Sequence, residues 1–89
     1  MTLQELYNNA SRDFLPLAVK INVENQYKCR IDFGSTVTVS IYDALTSHVL
    51  LLFDLRIYEG ELNCDQIGDR RYSDKTYEQL IQLIHERFL

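Results

Sequence analysis

The side chains of this chain that could do chemistry are two cysteines, two histidines and a number of carboxylates. A catalytic nucleophile needs a base within reach, and neither His48 nor His85 stands at a fixed local spacing from one. Cys29 and Cys64 lie far apart, without the paired spacing of a metal-binding motif. No glycine-rich phosphate loop, paired-histidine motif or Gly-x-Ser-x-Gly turn occurs. We therefore predict no catalytic centre, no cofactor, surface histidines and two reduced thiols.

Aspartates on neighbouring strands are the remaining candidates for a chemical site. Asp32, Asp43 and Asp54 could bind a metal if folding brought them together. Asp32 occupies an outward position of a predicted strand and Asp43 a predicted turn, so we predict no metal site. Asp54 and Arg56 are two residues apart on one strand, hence on the same side. We interpret them as a cross-strand charge pair that ends the apolar patch, with a recognition pair in the middle of a binding face as the alternative.

Composition limits the class of protein. The 89 residues include 13 acidic and 9 basic side chains, giving a formal net charge of −4. This balance disfavours binding along a nucleic-acid backbone. A hydrophobic fraction of 46% argues against disorder. No segment has the ~20 apolar residues of a membrane span. We expect one domain, located in the cytoplasm because its thiols stay reduced there.

Residues 48–58 are the segment around which we expect the fold to be organised. Apolar residues occupy both sides of its first half, as in a strand with neighbours on both edges. We predict this strand to be the most buried one. One side would carry Val49, Leu51, Phe53, Leu55 and Ile57, and the other Leu50, Leu52, Asp54, Arg56 and Tyr58.

A helix is predicted at each end of the chain. The first spans 2–14, begins with a Thr2–Glu5 capping box and ends before Pro16, because a residue preceding proline avoids the α-helical region. The second begins at Ser73 and runs to the last residue.

Between the helices, alternating apolar residues predict strands over 17–24, 27–33 and 36–42, followed by 48–58. Residues 61–67 fit a short fifth strand or a loop. Short connections require antiparallel neighbours. The predicted fold class is α+β, an antiparallel meander of four or five strands with an N-terminal and a C-terminal helix packed on one face.

A partner-binding surface is predicted on the sheet face away from the helices. Tyr42, Leu50, Leu52 and Tyr58 would face outward there, and exposed aromatic and apolar patches mark contact surfaces. In the alternative interpretation, the last loop folds across this face and covers it.

Residues 59–72 are predicted to be irregular, and long loops in compact domains often carry function. We expect acidic residues here to steer a partner, and tyrosines and arginines to hold it. The acidic residues are Glu59, Glu61, Asp65 and Asp69; the anchors are Tyr58, Arg70, Arg71 and Tyr72. The alternative is a solvated connector whose arginines balance nearby carboxylates.

The predicted function is a small acidic, non-enzymatic protein-binding module that acts stoichiometrically on a partner with a basic surface. In size and style the chain resembles small inhibitors and adaptors, such as phage anti-defence and immunity proteins, and this resemblance covers no motif. One alternative is a structural homodimer that pairs through the second sheet face or an edge strand. Another is a ligand-binding or enzymatic domain with a site under 59–72.

Overall fold

The computed structural model describes residues 1–66 and 76–89, which form two helices and one sheet. The sheet has the order β1-β2-β3-β4, and every neighbouring pair is antiparallel. The predicted α+β fold, with four antiparallel strands between two helices, is confirmed. The elements are α1 (Leu3–Val23), β1 (Tyr27–Phe33), β2 (Val37–Asp43), β3 (Val49–Tyr58), β4 (Glu61–Gln66) and α2 (Tyr77–Phe88).

Helix α1 is longer than predicted. The Thr2–Glu5 capping box is present, but the helix continues through Pro16 to Val23. The predicted end at 14 and the predicted strand over 17–24 are therefore wrong. The reason is a single helical stripe that crosses the proline and packs on the sheet. Its buried members are Leu6, Ala10, Phe14, Leu17, Ala18 and Ile21.

Strand β3 is one of the two central strands of the sheet, but the prediction that it is the most buried one is wrong, because β2 has no exposed residue whereas β3 has four. Strand β3 does have neighbours on both edges, as predicted. It pairs with β2 on one edge and with β4 on the other. Leu51, Phe53 and Leu55 are almost completely buried. The segment that fitted either a strand or a loop is β4, so the four strands include this one and exclude 17–24.

Val49, the first residue of β3, does not join that buried row. The pairing of β2 with β3 shifts between Ile41 and Tyr42, so Val49 lies opposite Tyr42. Opposed residues share a side of the sheet. Val49 is therefore directed away from the core and is 56% exposed, against the prediction that the helices cover it.

Helix α2 begins three residues later than predicted. Thr76 is its N-cap and forms a capping box with Gln79, so the predicted start at Ser73 is wrong; Ser73 lies outside the described residues. The Thr-x-x-Gln spacing satisfies two free backbone N–H groups at once. In the described part of the chain, no helix is long and apolar enough to cross a membrane.

Both helices pack on the same sheet face, as predicted. Their buried side chains form one hydrophobic cluster with those of β1, β2 and β3. Three edge-to-face ring pairs, with centroids 5.1–5.4 Å apart, fix the helices to β1 and to each other. These pairs are Tyr7 with Phe33, Phe14 with Tyr77, and Tyr27 with Phe88.

Candidate functional site

The sheet presents a second face, here called the open face, that no helix of the described chain covers. Alternation along the strands assigns its side chains. They are Lys28, Arg30 and Asp32 of β1; Thr38, Ser40 and Tyr42 of β2; Leu50, Leu52, Asp54, Arg56 and Tyr58 of β3, with Val49 added by the register shift; and Glu61, Asn63 and Asp65 of β4. Every one of these residues is partly or fully exposed.

Charged side chains across the middle of the open face are paired between strands. The Thr38 hydroxyl donates to Asp54 Oδ1 over 2.8 Å. Arg56 Nη2 lies 2.7 Å from Asp65 Oδ2, an oxygen that solvent does not reach and that makes no well-aligned hydrogen bond. The predicted Asp54–Arg56 pair is thus wrong, because Arg56 reaches diagonally to β4 while Asp54 binds Thr38.

The outward apolar residues do not form one patch. Tyr42 lies beside the first residues of β3, near Leu50 and Leu52. We call Tyr42, Val49, Leu50 and Leu52 the apolar patch. Tyr58 is six residues beyond Leu52, a distance of ~20 Å along a strand, with Asp54 and Arg56 between them. The structure therefore groups three of the four predicted aromatic and apolar contact residues and separates the fourth.

Tyr58 belongs to the β3–β4 hairpin tip, residues 58–61. Glu59 and Gly60 both have positive φ, 52° and 78°, which is the conformation of a two-residue type I′ turn. The tip exposes Tyr58 by 65% and also exposes Glu59 and Glu61.

The predicted irregular segment 59–72 therefore divides into a tight turn, strand β4 and a part outside the described residues. Asp69, Arg70, Arg71 and Tyr72 fall in that last part, together with their predicted roles.

A second surface, on α1, was missed by the sequence analysis. Leu15, Val19 and Val23 are spaced four residues apart and are 41%, 62% and 71% exposed. We call these three residues the α1 ridge; Val19 and Val23 line a groove of about 660 Å³ between the C-terminal ends of the two helices. Tyr27 and Phe88 also line this groove. The sequence did contain a signal for this surface. When residues 14–23 are placed on a helix, their apolar side chains cover a wider arc than the single face that a surface helix buries.

The thiols lie where they are poorly reactive. Burial raises the pKa of Cys29 to about 11, and burial followed by the charges of Asp65 and Glu78 raises the pKa of Cys64 to about 11. Both thiols are free. They stand on opposite edge strands, which lie ~14 Å apart at sheet spacing. Cys29 is level with Leu51 and Cys64 with Leu55, so the cysteines are further apart still, well beyond the ~7 Å limit for the Cα atoms of a disulfide.

The other chemically capable groups do not converge. His48 and His85 are exposed, as predicted. Asp43 accepts hydrogen bonds from the backbone N–H groups of Thr46 and Leu45, which hold the pKa of its carboxyl below the ordinary value. Across residues 1–66 and 76–89, no three His, Cys, Asp or Glu side chains are placed to hold a metal ion.

One polar contact joins the two helices. The Tyr77 hydroxyl donates to Asp13 Oδ2 over 2.7 Å, and Arg12 binds the same carboxylate over 2.9 Å. Arg12, and then the Tyr77 hydroxyl, hold the pKa of Asp13 below its ordinary value, against a partial opposing effect of burial. Burial and the Asp13 contact raise the pKa of Tyr77. This arrangement helps to position the two helices relative to each other.

Comparisons with known proteins do not identify a family or a function for this chain. No protein-family model matches the chain, and no curated protein or solved structure is similar to it.

Proposed function

We propose that the chain is a protein-binding module that acts stoichiometrically by placing the open face of its sheet on a partner protein. The observation that carries the proposal is the absence of a covering layer over this face in the described part of the chain. Amphipathic helices cover one face of the sheet. The other face presents an apolar patch beside the hydrogen-bonded Asp54 and the Arg56–Asp65 ion pair. Apolar residues surrounded by polar ones are the usual composition of a contact surface.

Electrostatics favours a partner with a basic surface. Glu59 and Glu61 are exposed at the hairpin tip and, among the described residues, neither carboxylate has a basic partner within ion-pair distance. Asp65, by contrast, is engaged by Arg56. We propose that the two glutamates supply most of the steering from the described chain, with Tyr58 beside them as a contact residue. Asp69, Arg70, Arg71 and Tyr72 keep their proposed roles in steering and anchoring.

The inhibitor or adaptor role, and a cytoplasmic location, belong to this proposal. The small size, the acidic charge and the lack of a catalytic motif in the sequence support the inhibitor or adaptor role. The two free thiols support a cytoplasmic location, where thiols stay reduced.

A second candidate function is a structural homodimer. The α1 ridge favours it, because three exposed apolar residues on one helix face are a common feature of helix–helix interfaces. Self-association through the open face or a sheet edge is the other form of this candidate. A measurement of mass in solution by sedimentation separates the two functions, since the first allows a monomer.

The experiment that tests the leading proposal compares three forms of the protein immobilised on beads. These are the wild type, an open-face variant with Leu50→Asp and Leu52→Asp, and a ridge variant with Val19→Asp and Val23→Asp. Each is incubated with extract of the cells that encode the protein, and captured proteins are quantified. We expect one partner at equimolar ratio, lost by the open-face variant and retained by the ridge variant.

The ridge variant is the matched control, because it adds the same two negative charges to an apolar surface on α1, where Val19 and Val23 are 62% and 71% exposed. Circular dichroism and thermal unfolding verify that each variant is folded. Loss of capture in the ridge variant alone would assign the interface to α1 and contradict the proposal. Conversion of the captured partner by catalytic amounts of the protein would contradict a stoichiometric role.

A further inference from the structure

The two edges of the sheet differ in whether another strand can add to them. Strands β1 and β4 form the edges. At alternate residues, the backbone N–H and C=O groups of an edge strand point away from the sheet. The partners of those groups determine whether an edge is closed or available.

The β1 edge is closed at Cys29, in the middle of the strand, by a side chain from α1. The Ala44 N–H donates to the Gln26 carbonyl, and alternation from this bond directs the backbone groups of Cys29 outward. The carboxamide of Asn22 binds both of them, accepting from the Cys29 N–H over 2.9 Å and donating to the Cys29 carbonyl over 3.1 Å. Asn22 therefore takes the place of an adjoining strand at the centre of β1.

The β4 edge has no such cover in the described part of the chain. In a hairpin with a two-residue turn, the flanking residues, here Tyr58 and Glu61, form a hydrogen-bonded pair. Alternation then directs the backbone groups of Leu62 and Cys64 outward. Within residues 1–66 and 76–89, no group from outside the sheet binds them.

The side chains of β4 specify what kind of strand this edge would accept. On the open face it presents Glu61, Asn63 and Asp65; on the helix-covered face Leu62 and Cys64 are half-buried against the core. An added strand would place alternate side chains beside the carboxylates and the intervening ones beside the apolar pair. A second copy of β4 would instead bring two sets of carboxylates onto adjacent strands.

We propose that the β4 edge binds an extended segment of a partner protein that carries lysine or arginine at alternate positions and apolar residues between them. Backbone hydrogen bonds to Leu62 and Cys64 hold the segment, and Glu61 selects its basic side chains. Tyr58, on the same face, packs along the aliphatic part of a basic side chain. This inference deepens the proposed function, on which it rests for the partner being a protein.

The test uses the full chain and a synthetic peptide that alternates lysine and valine. Two control peptides accompany it: one alternates glutamate and valine, and the other carries N-methyl groups on alternate backbone nitrogens of the lysine peptide. Amide NMR shifts and hydrogen exchange are measured as each peptide is added. We expect the Leu62 and Cys64 amides to shift and become protected with the lysine peptide, while the Ile31 amide on β1 is unchanged. Loss of two hydrogen bonds should weaken binding of the N-methylated peptide by about tenfold.

A pair of proline variants adds a matched control. Proline is tolerated at an edge position whose N–H faces solvent, so Cys64→Pro removes an outward donor without removing a bond to β3. Ile31→Pro does the same on β1. We expect peptide binding to be lost in Cys64→Pro and retained in Ile31→Pro. If Cys64→Pro does not fold, the comparison of the lysine peptide with its N-methylated form tests whether backbone hydrogen bonds hold the peptide.

Several results would overturn the inference: equal binding of all three peptides, protection at Ile31, or no response at Leu62 and Cys64. A dimer that Cys64→Pro disperses would also overturn it, because the occupant would then be a second copy. If the peptide binds at the β4 edge but no partner is captured from extract, the edge site is supported and the proposed function is contradicted. Capture through the open face without peptide binding would remove the edge site alone.

Discussion

Single side chains determine how the sheet is presented to its surroundings. Asn22 closes the middle of the β1 edge by satisfying both outward backbone groups of Cys29. Arg56 reaches across to Asp65 and removes one carboxylate from those available to a partner. Neither role could be assigned from the sequence, because Asn22 was predicted to lie on a strand and Arg56 binds a residue of another strand.

Phe53 is the residue whose truncation should affect the fold most. It is completely buried in the middle of β3. We expect Phe53→Ala to lower the free energy of unfolding by about 3–5 kcal/mol, through lost burial and the cavity left behind. Urea denaturation followed by circular dichroism measures the change. A loss below about 1 kcal/mol would mean that β3 is not the centre of the core.

Acid should weaken the contact between the helices through Asp13. The pKa of this carboxyl is lower in the folded protein than its ordinary value of 3.8. A depressed pKa contributes stability that is present above the unfolded value and is lost as the pH falls through the folded value. We therefore expect the free energy of unfolding to decline below about pH 4, and less steeply in Asp13→Asn. Denaturation midpoints measured between neutral and acidic pH check this, and equal declines would exclude a role for Asp13.

At the scale of elements, burial on the sheet outweighs local helix propensity. Proline in a helix interior costs about 3 kcal/mol, yet α1 passes through Pro16. Each of the larger apolar side chains that follow, Leu17 and Ile21, gains about 1.5–3 kcal/mol when buried. The alternating apolar residues over 17–24 predicted a strand, but this segment also fits a helix. Phe14, Leu17 and Ile21 are spaced three and four residues apart, so a helix places them on one face.

Replacing Pro16 should therefore stabilise the protein. Pro16 is exposed, so Pro16→Ala restores a backbone donor without opening a cavity. We expect the free energy of unfolding to rise by about 1–3 kcal/mol, the helix-propensity gain less the greater freedom of the unfolded chain. Thermal and urea unfolding measure it. A decrease would show that the packing of α1 requires the distortion that proline imposes.

Two neighbouring leucines test the assignment of faces in β3. Leu51 is buried beneath the helices, whereas Leu50 is 37% exposed on the open face. Leu51→Asp should prevent folding, because an unpaired charge would enter the core. Leu50→Asp should change the free energy of unfolding by less than about 1 kcal/mol. Comparable destabilisation of both variants in the same denaturation assay would mean that the open face is covered.

At the scale of the whole molecule, the net charge of −4 should govern the rate of association with the partner. Neutralising Glu59, Glu61, Asp65 and Asp69 to their amides should slow association and flatten its salt dependence, because complementary charge acts chiefly on encounter. Surface plasmon resonance with the captured partner measures both. Restoring Glu59 and Glu61 should recover more of the rate than restoring Asp65, whose carboxylate Arg56 already neutralises. A rate insensitive to salt and to all four changes would remove the electrostatic part of the proposal.

The anchors are expected to act on dissociation. Arg71→Ala and Tyr72→Ala should raise the dissociation rate and leave the association rate nearly unchanged, because desolvated contacts form after encounter. The same resonance experiment reads both rates, and a change confined to association would contradict this assignment.

The sequence by itself determined the fold class, the buried central strand and the side of the sheet that Tyr42, Leu50, Leu52 and Tyr58 occupy. Those properties depend on a period of two or 3.6 residues, which local chain geometry imposes. Tertiary structure decided the length of α1, the pairing of Arg56 with Asp65 and the separation of Tyr58 from the apolar patch. It also decided that Asn22 covers the β1 edge at Cys29. These features follow from the energy of burial and from the register between distant segments, and neither is contained in the periodicity of any one segment.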